Sequence, residues 1–520
     1  MNRKIFFALN CFKLPGFLRI CAYGSNFPII SRLQANKMNV SYNSIIKARS
    51  AGLVVVSRCC STNKSALFIP NRIRSNITPP IEPYLNIEKT LKPKMGDMEK
   101  SLLLRKKRNH TYDLNEMLKS AERLNYIELE EERLNKRKEE MTPLYSEKND
   151  LELLDNLKQE GKAIKESLKE LRTERWRIEE SALIQYIRLP NYIDKRTPRD
   201  PEDEVIYSIG SKPEILHSKH VRSHQELCIE EINFSDNCPT CYYLMGDAAK
   251  LEVALCWAAQ DFLLSMEFQM CSGPDFTRSS IVEGCNPDID LFREVTETNE
   301  VFSLAPTSDF GDISTHAATH LVGSASFESL VGHYVKNVII NPKTSLPKTY
   351  FCCGKKYSPV QQNNDIPHSL YNVQQSSAVE LISIAQTASS LDDQLHNIEC
   401  AMKKFYESLG LHCIFVKRHS GNIKHAAISL KISILIYSPH GEKYVEVGSL
   451  NLFDDFVSKR LMTLYETDEN IGDLYILNGT FMDVTKMVGC VIENCQAEGY
   501  ELNDLILKEN TSVFMKKLSL

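Results

Sequence analysis

The sequence predicts an α+β protein: an N-terminal antiparallel helical hairpin (a coiled-coil arm) followed by a domain built on a largely antiparallel sheet. Two heptad-spaced apolar seams separated by Pro143 predict the hairpin. Strand-like runs alternating with helical ones beyond residue 190 predict the sheet domain. An acid-free basic leader precedes both.

The leader contains no Asp or Glu before Glu82, yet it carries twelve Lys and Arg, from Arg3 to Arg74. Set against a net charge of -5 for the whole chain, those twelve positive charges leave -17 on the remainder, so the body is acidic. An acid-free stretch rich in Arg, Lys, Ser and Asn has the composition of a mitochondrial transit peptide, placed here at residues 1–80. A secretory signal is the competing reading. It fits less well, because basic residues recur throughout instead of flanking one apolar core. Runs such as Ile5 to Leu9 and Leu53 to Val56 are too short to span a bilayer. The expectation is a mitochondrial matrix protein with no membrane partner.

Sixteen cysteines in that compartment read as reduced thiols. Only Cys238 and Cys241 have metal or redox spacing, and no second such pair follows, so no metal and no cofactor are expected.

The arm occupies residues 100–187. Leu154, Leu157, Gly161, Ile164, Leu168, Leu171, Ile178 and Ala182 follow a three-and-four spacing, with charged Arg175 as the exception. Upstream, Leu114, Met117, Ala121, Leu124, Ile127, Leu134 and Met141 form a looser matching stripe. Pro143 and the polar run Ser146 to Asp150 interrupt the two, which favours a hairpin over one long coiled-coil dimer. Leu189-Pro-Asn191 and the Pro- and Asp-rich stretch Thr197 to Glu204 mark the exit, and residues 188–520 form the sheet domain. Within it, Asp247 to Met266 and Val484 to Gln496 read as helices. Val335 to Ile340, Lys431 to Tyr437 and Asp473 to Leu477 read as strands.

The order of these features resembles seryl-tRNA synthetase, a class II aminoacyl-tRNA synthetase. Leu189-Pro-Asn191 stands at that family's arm exit. Tyr242-Tyr-Leu-Met-Gly246 with Ala249 and Leu251-Glu252 resembles the lead into motif 1, whose interface proline corresponds to Pro274. Leu370-Tyr-Asn-Val-Gln-Gln375 with Val379-Glu-Leu381 resembles motif 2. Glu446-Val-Gly-Ser449 through Arg460 resembles the serine-site strand, and Asn478-Gly-Thr480 through Gln496 resembles motif 3. The resemblance implies a class II catalytic fold, an arm that contacts tRNA and a motif 1 dimer.

The departures from the family carry the functional expectation. Activating an amino acid on ATP builds charge on phosphoryl oxygens, which calls for arginine forks and metal-holding carboxylates. The motif 2 arginine and glutamate correspond here to Gly354 and Lys356. In the second half of motif 2, an arginine is replaced by Asn372, a histidine by Gln374 and the adenine-stacking phenylalanine by Ser376. The motif 3 arginine is Lys486. The serine-site Thr-x-Glu is Thr307-Ser308-Asp309, and the Ser-Cys-Ser-Asn run is Ser449-Leu450-Asn451-Leu452. Thr307, Glu380, Glu446 and Ser449 are retained. No arginine occurs between Arg293 and Arg418, whatever the alignment. Each lost transition-state donor costs about 10²–10³ in rate, so the resemblance implies lost serine–tRNA ligase activity and no catalytic residue.

Two capabilities outlast that loss. Lys158, Lys162, Lys165, Lys169 and Arg172 recur along one side of the second arm helix, a stripe suited to phosphate contact, or else a solvated face whose stems cover the seam. The motif 1 segment ending at Pro274 keeps its apolar character, suited to a homodimer or to a heterodimer with an active mitochondrial seryl-tRNA synthetase. The resemblance thus implies a non-catalytic paralogue binding tRNA, serine tRNA first. An interaction subunit that binds no RNA and a divergent active ligase are the alternatives. This combination resembles insect mitochondrial seryl-tRNA synthetase-like proteins.

Overall fold

The computed structural model divides the chain into two units, Met1–Ser61 and Thr62–Leu520. It describes residues 65–67, 81, 83, 87–105, 112–144, 151–199, 201–213, 221–235, 238–289, 301–304, 318–359 and 369–498, all in the second unit. Most of the leader, the turn of the arm and Thr307 to Asp309 lie outside them.

Two short helices, α1 (Ile87–Leu91) and α2 (Met95–Leu104), lead into the arm. The arm itself is α3 (Leu114–Leu144) and α4 (Leu151–Ile178), which pack on each other. At 1.5 Å per residue the longer helix extends about 46 Å. Pro143 does not end α3 where the sequence reading placed the break. The helix continues one residue further, to Leu144, with the proline in its last turn. The predicted seams are the buried ones: Met117, Ala121 and Ile127 toward the base, and Met141, Leu157, Ile164 and Leu168 toward the tip. The charged exception Arg175 reaches across the hairpin to Glu131 at 3.1 Å and along its own helix to Glu179 at 2.8 Å. Arg123–Glu174 and Arg137–Glu160, each at 2.8 Å, tie the same helices on the outside.

Beyond Ile178 one π-helical turn, Glu179–Leu183, leads to the Leu-Pro-Asn exit. Asn191 fastens the arm to the body. Its side-chain amide donates to the carbonyls of Ala427 and Phe453, both at 2.9 Å. Buried Arg460 donates to the carbonyls of Ile187 and Leu189, and Arg105 donates to those of Asn191 and Ile428.

The body is an eight-stranded sheet of β1 (Glu204–Ile209), β2 (Gln269–Met270), β3 (Lys348–Tyr357), β4 (Gln375–Ala385), β5 (Cys413–Lys417), β6 (Leu430–Ser438), β7 (Lys443–Asp454) and β8 (Tyr475–Asp483). Its spatial order is β1-β5-β6-β7-β8-β4-β3-β2, antiparallel throughout except for the β2–β3 edge pair. Of the strands read from sequence, Lys431 to Tyr437 lies within β6. Val335 to Ile340 shortens to Val338–Ile340, and Asp473 to Leu477 is split between a three-residue strand and β8.

One sheet face is covered by α5 (Gly246–Ser265), α8 (Ala388–Ser408) and α10 (Val484–Glu498). Val379, Leu381, Leu450, Leu452 and Leu477 pack there with Leu255, Met402 and Val488. The other face carries α6 (Ser279–Cys285), α7 (Phe327–Gly332) and α9 (Phe456–Leu461) over a second core containing Cys352, Ile382, Ile384 and Phe453. Among the described residues no helix is long and apolar enough to cross a membrane, and no three His, Cys, Asp or Glu side chains group as metal ligands.

Candidate functional site

Strand alternation assembles a polar floor on the second face, because residues paired across antiparallel strands share a side. One row runs from Cys352 through Glu380, Thr480 and Ser449 to Ser433. The next runs through Ile382, Asn478, Asn451 and Lys431. A bulge in β7 shifts the register between the pairs Ile434–Gly448 and Leu435–Glu446. It brings Glu446 onto the same side as Ser449 and Asn451.

The floor is internally neutralised. Glu380, 1% exposed, accepts from the Asn478 amide at 3.0 Å, the Thr480 hydroxyl at 2.8 Å and the Lys356 ammonium at 3.4 Å. Burial pushes the Lys356 pKa down, but the carboxylates of Glu380, Glu328 and Asp483 outweigh it and hold the ammonium above its ordinary value. At the β6–β7 end, Arg418 has every side of its fork engaged: Nε donates to Ser433 at 2.8 Å, Nη1 to Asp203 at 2.9 Å and Nη2 to Glu446 at 3.0 Å. Lys431 pairs with the same Glu446 at 2.7 Å. Burial raises the Glu446 carboxyl, and the two cations more than offset it, leaving its pKa below the usual range. Among the described residues the buried Oδ1 of Asn451 has no hydrogen-bond partner, while Nδ2 donates to Ser449 at 3.2 Å.

Ser324 crowds the position where the resemblance places an arginine. A Cβ at Gly354 would lie 2.2 Å from Ser324 Oγ and 3.4 Å from the Ala325 nitrogen. The 322–325 segment runs along the end of β3, with Ala325 N–H donating to Lys355 and Tyr357 N–H donating to Val322. Gly323 allows this close approach, with φ of +94° and a Cβ position 2.1 Å from the Lys355 carbonyl oxygen.

The other sequence-predicted residues divide as follows. Ser376 sits opposite Lys356 at the start of β4 and is half-buried. Asn372 and Gln374 lie in the β3–β4 connection, their backbone N–H groups donating to Ser369 and Thr240. Lys486, in the first turn of α10, is held by Asp483 at 3.2 Å. Leu452 is a correction: with Leu450 it points to the opposite face, into the main core, so neither leucine lines the floor. The polar members of that run, Ser449 and Asn451, are the ones on the site side. Asp309 lies outside the described residues. Sequence reasoning missed the Arg418–Asp203–Glu446 cluster and the close approach of Gly323–Ser324, since neither follows a spacing rule.

Two further surfaces carry sequence-predicted residues. Lys158, Lys162, Lys165, Lys169 and Arg172 are all exposed on α4, and Arg172 approaches Glu131 only at 3.9 Å. At 100° per residue they fall within about 80° of arc beside the seam, with Glu160 and Glu170 well off the stripe and Glu166, four residues from Lys162, about 40° beyond its edge. Pro274 is exposed near Met270 and Phe276, each 52% exposed, at the mouth of a cavity of about 520 Å³ lined by Cys271, Tyr334, Tyr350 and Ile382. The outer side of α5 carries exposed Val253, Trp257 and Leu264.

Comparison with known proteins matches residues 322–495 to the tRNA synthetase class II core domain (G, H, P, S and T). The chain is 28% identical over 451 residues to the serine–tRNA synthetase-like protein Slimp of Drosophila melanogaster, covering 84% of this chain and 90% of that one. It is 23% identical to the mitochondrial serine–tRNA ligase of Schizosaccharomyces pombe, over 61% of this chain and 65% of that one. Among solved structures, seryl-tRNA synthetase from Pyrococcus horikoshii, complexed with ATP, superposes with a TM-score of 0.67 at 18% identity, covering 79% of this chain and 94% of that one. The chain thus has the class II tRNA synthetase core fold, and in sequence it is similar to seryl-tRNA synthetases and to a seryl-tRNA synthetase-like protein.

Proposed function

We propose that this chain is a non-catalytic seryl-tRNA synthetase paralogue of mitochondria that binds tRNA through its helical arm. The observation that carries the loss of catalysis is the Lys356–Glu380 pair. At the place where the family resemblance puts a glutamate for metal-bound phosphate, a lysine neutralises the retained carboxylate at 3.4 Å. Arg418, the arginine on the floor, is committed to Asp203, Glu446 and Ser433, so its fork is not free for an arriving phosphoryl group. Mitochondrial placement follows from the acid-free leader and accords with the mitochondrial ligases among the relatives.

Support for RNA binding comes from the contrast between two sets of arm cations. Arg123, Arg137 and Arg175 are spent on cross-hairpin ion pairs, whereas Lys158, Lys162, Lys165 and Lys169 point to solvent along one stripe. Such a stripe fixes a phosphate backbone without reading bases. Filter binding of mitochondrial tRNA, serine tRNA first, across a salt series tests this. Affinity that falls steeply with salt is expected, and no binding at low salt would overturn it.

A second reading is favoured by the exposed apolar residues Val253, Trp257, Leu264, Met270 and Phe276 beside Pro274. It is an interaction subunit that pairs with itself or with an active mitochondrial seryl-tRNA synthetase and binds no RNA. Co-purification of the two proteins supports it, and a strict monomer at micromolar concentration contradicts it.

A further inference from the structure

Three residues of the acid-free N-terminal region belong to the folded body. Ser65, Ala66 and Leu67 are each at most 1% exposed, and Leu67 packs in the second core with Ile187, Cys285, Phe456 and Leu461. Their backbone is received by Glu283 of α6, itself 3% exposed. The N–H groups of Ala66 and Leu67 both donate to Glu283 Oε2, the latter at 3.3 Å, and the Leu67 N–H also donates to Ser65 Oγ at 3.1 Å. Ile81 joins the same core 14 positions on.

This juxtaposition bears on where the leader ends. Glu283 is a carboxylate removed from water, and the hydrogen bonds it accepts among the described residues come from this segment. A chain cut after Leu67 would strand that carboxylate without donors and leave a leucine-sized hole beside Phe456 and Leu461. Both are among the costly defects of a protein interior. Composition alone sets the leader boundary near the first acid, Glu82, but the packing sets it earlier. The compact unit begins at Thr62.

We propose that the leader is removed upstream of Ser65, and that Ser65–Leu67 stays in the mature protein as a strap seated on Glu283. The processing half rests on the mitochondrial reading above, while the strap half stands on packing alone.

Two experiments separate the halves. The N-terminus of the chain isolated from mitochondria, mapped by mass spectrometry, is expected downstream of Met1 and no later than Ser65. A terminus at Ala66 or later would overturn the proposal, and a chain still beginning at Met1 would overturn the processing half together with the import reading. The strap is tested by thermal unfolding of recombinant protein starting at Thr62. Leu67→Ala and Glu283→Ala should each lower Tm by about 3–6 °C. Starting the chain at Ile69 should lower it at least as much, and adding Glu283→Ala to that shorter chain should cost little more, since its donors are already gone. Point variants that melt with the parent, or a Glu283→Ala effect that is fully additive to truncation, would overturn the strap.

Discussion

Replacing Lys356 probes the floor at its most altered position. Lys356→Met keeps the apolar stem and removes the ammonium that lies 3.4 Å from both Glu380 Oε2 and Thr480 Oγ1. At that distance and an effective dielectric of about 20, the gross attraction is about 5 kcal/mol, part of which only offsets the cost of burying the ammonium. Glu380 keeps its donors from Asn478 and Thr480, so it is not left bare. Lys356 is itself about a third exposed, so the expected cost is about 1–2 kcal/mol, below that of a fully buried pair. Lys356→Glu restores the residue type that the family resemblance places there, yet sets a third acid against Glu380 and Glu328, with Asp483 nearby. It should cost about 1–2 kcal/mol more than Lys356→Met. Urea unfolding at pH 7.5 reads both, provided the m-value is unchanged. A Lys356→Met protein within 0.5 kcal/mol of the parent, or a Lys356→Glu protein as stable as Lys356→Met, would refute the reasoning that this pair holds the floor together.

The remaining predictions concern the arm, its anchor and pH. Changing Lys158, Lys162, Lys165 and Lys169 together to alanine should reduce the slope of log affinity against log salt by about 3 and leave unfolding within about 1 kcal/mol; an unchanged slope removes the stripe from RNA binding. Asn191→Ala deletes two side-chain donors to the buried carbonyls of Ala427 and Phe453 and should cost about 2–4 kcal/mol by denaturant unfolding, with a neutral result counting against the anchor. Burial depresses His320 to about 4, and burial together with the cations Arg105, Lys431 and Lys356 depresses His425 to about 4. For both, the unfolded chain binds the extra proton, so their stabilisation is complete above about pH 6.5 and is lost as pH falls toward 4. Asp454, raised by burial to about 6, acts in the opposite sense and offsets part of that loss below pH 6. These three groups taken alone give a net loss of about 2.5 kcal/mol between pH 7.5 and 5, which the raised carboxyls of Glu283, Glu328 and Asp473 reduce further. Stability that rises as pH falls over that range would contradict it.

Much of the fold was legible because periodicity is local. The three-and-four spacing from Leu154 and the stripe from Leu114 named the buried seam residues, and the helices Asp247 to Met266 and Val484 to Gln496 were found to within two residues. The site was legible in content more than in geometry. Lys356 and Glu380 could be singled out from the sequence, but not their contact, which depends on pairing strands 24 positions apart. Simple alternation along Glu446 to Leu452 would put Glu446 with Leu450 and Leu452. The β7 bulge resets the pattern and puts it with Ser449 and Asn451 instead, while Leu452, matched to the serine site as one member of a four-residue run, falls on the opposite face because a run match does not separate alternating sides. The crowding of the Gly354 position by Ser324 has no sequence signature, since it depends on a glycine turn 31 residues upstream. Pro143 marks the end of its helix to within one residue: in the last turn it forfeits its own bond to the carbonyl four residues back, and the helix stops at Leu144.

The central claim is that the floor no longer supports amino-acid activation. Serine-dependent ATP–pyrophosphate exchange by the purified chain measures that step directly, with an active mitochondrial seryl-tRNA synthetase as the positive control. Exchange indistinguishable from the no-enzyme background is predicted, for the parent and equally for Gly354→Arg, which adds one fork while Lys356 still neutralises Glu380. Serine-dependent exchange that scales with protein concentration would contradict the account.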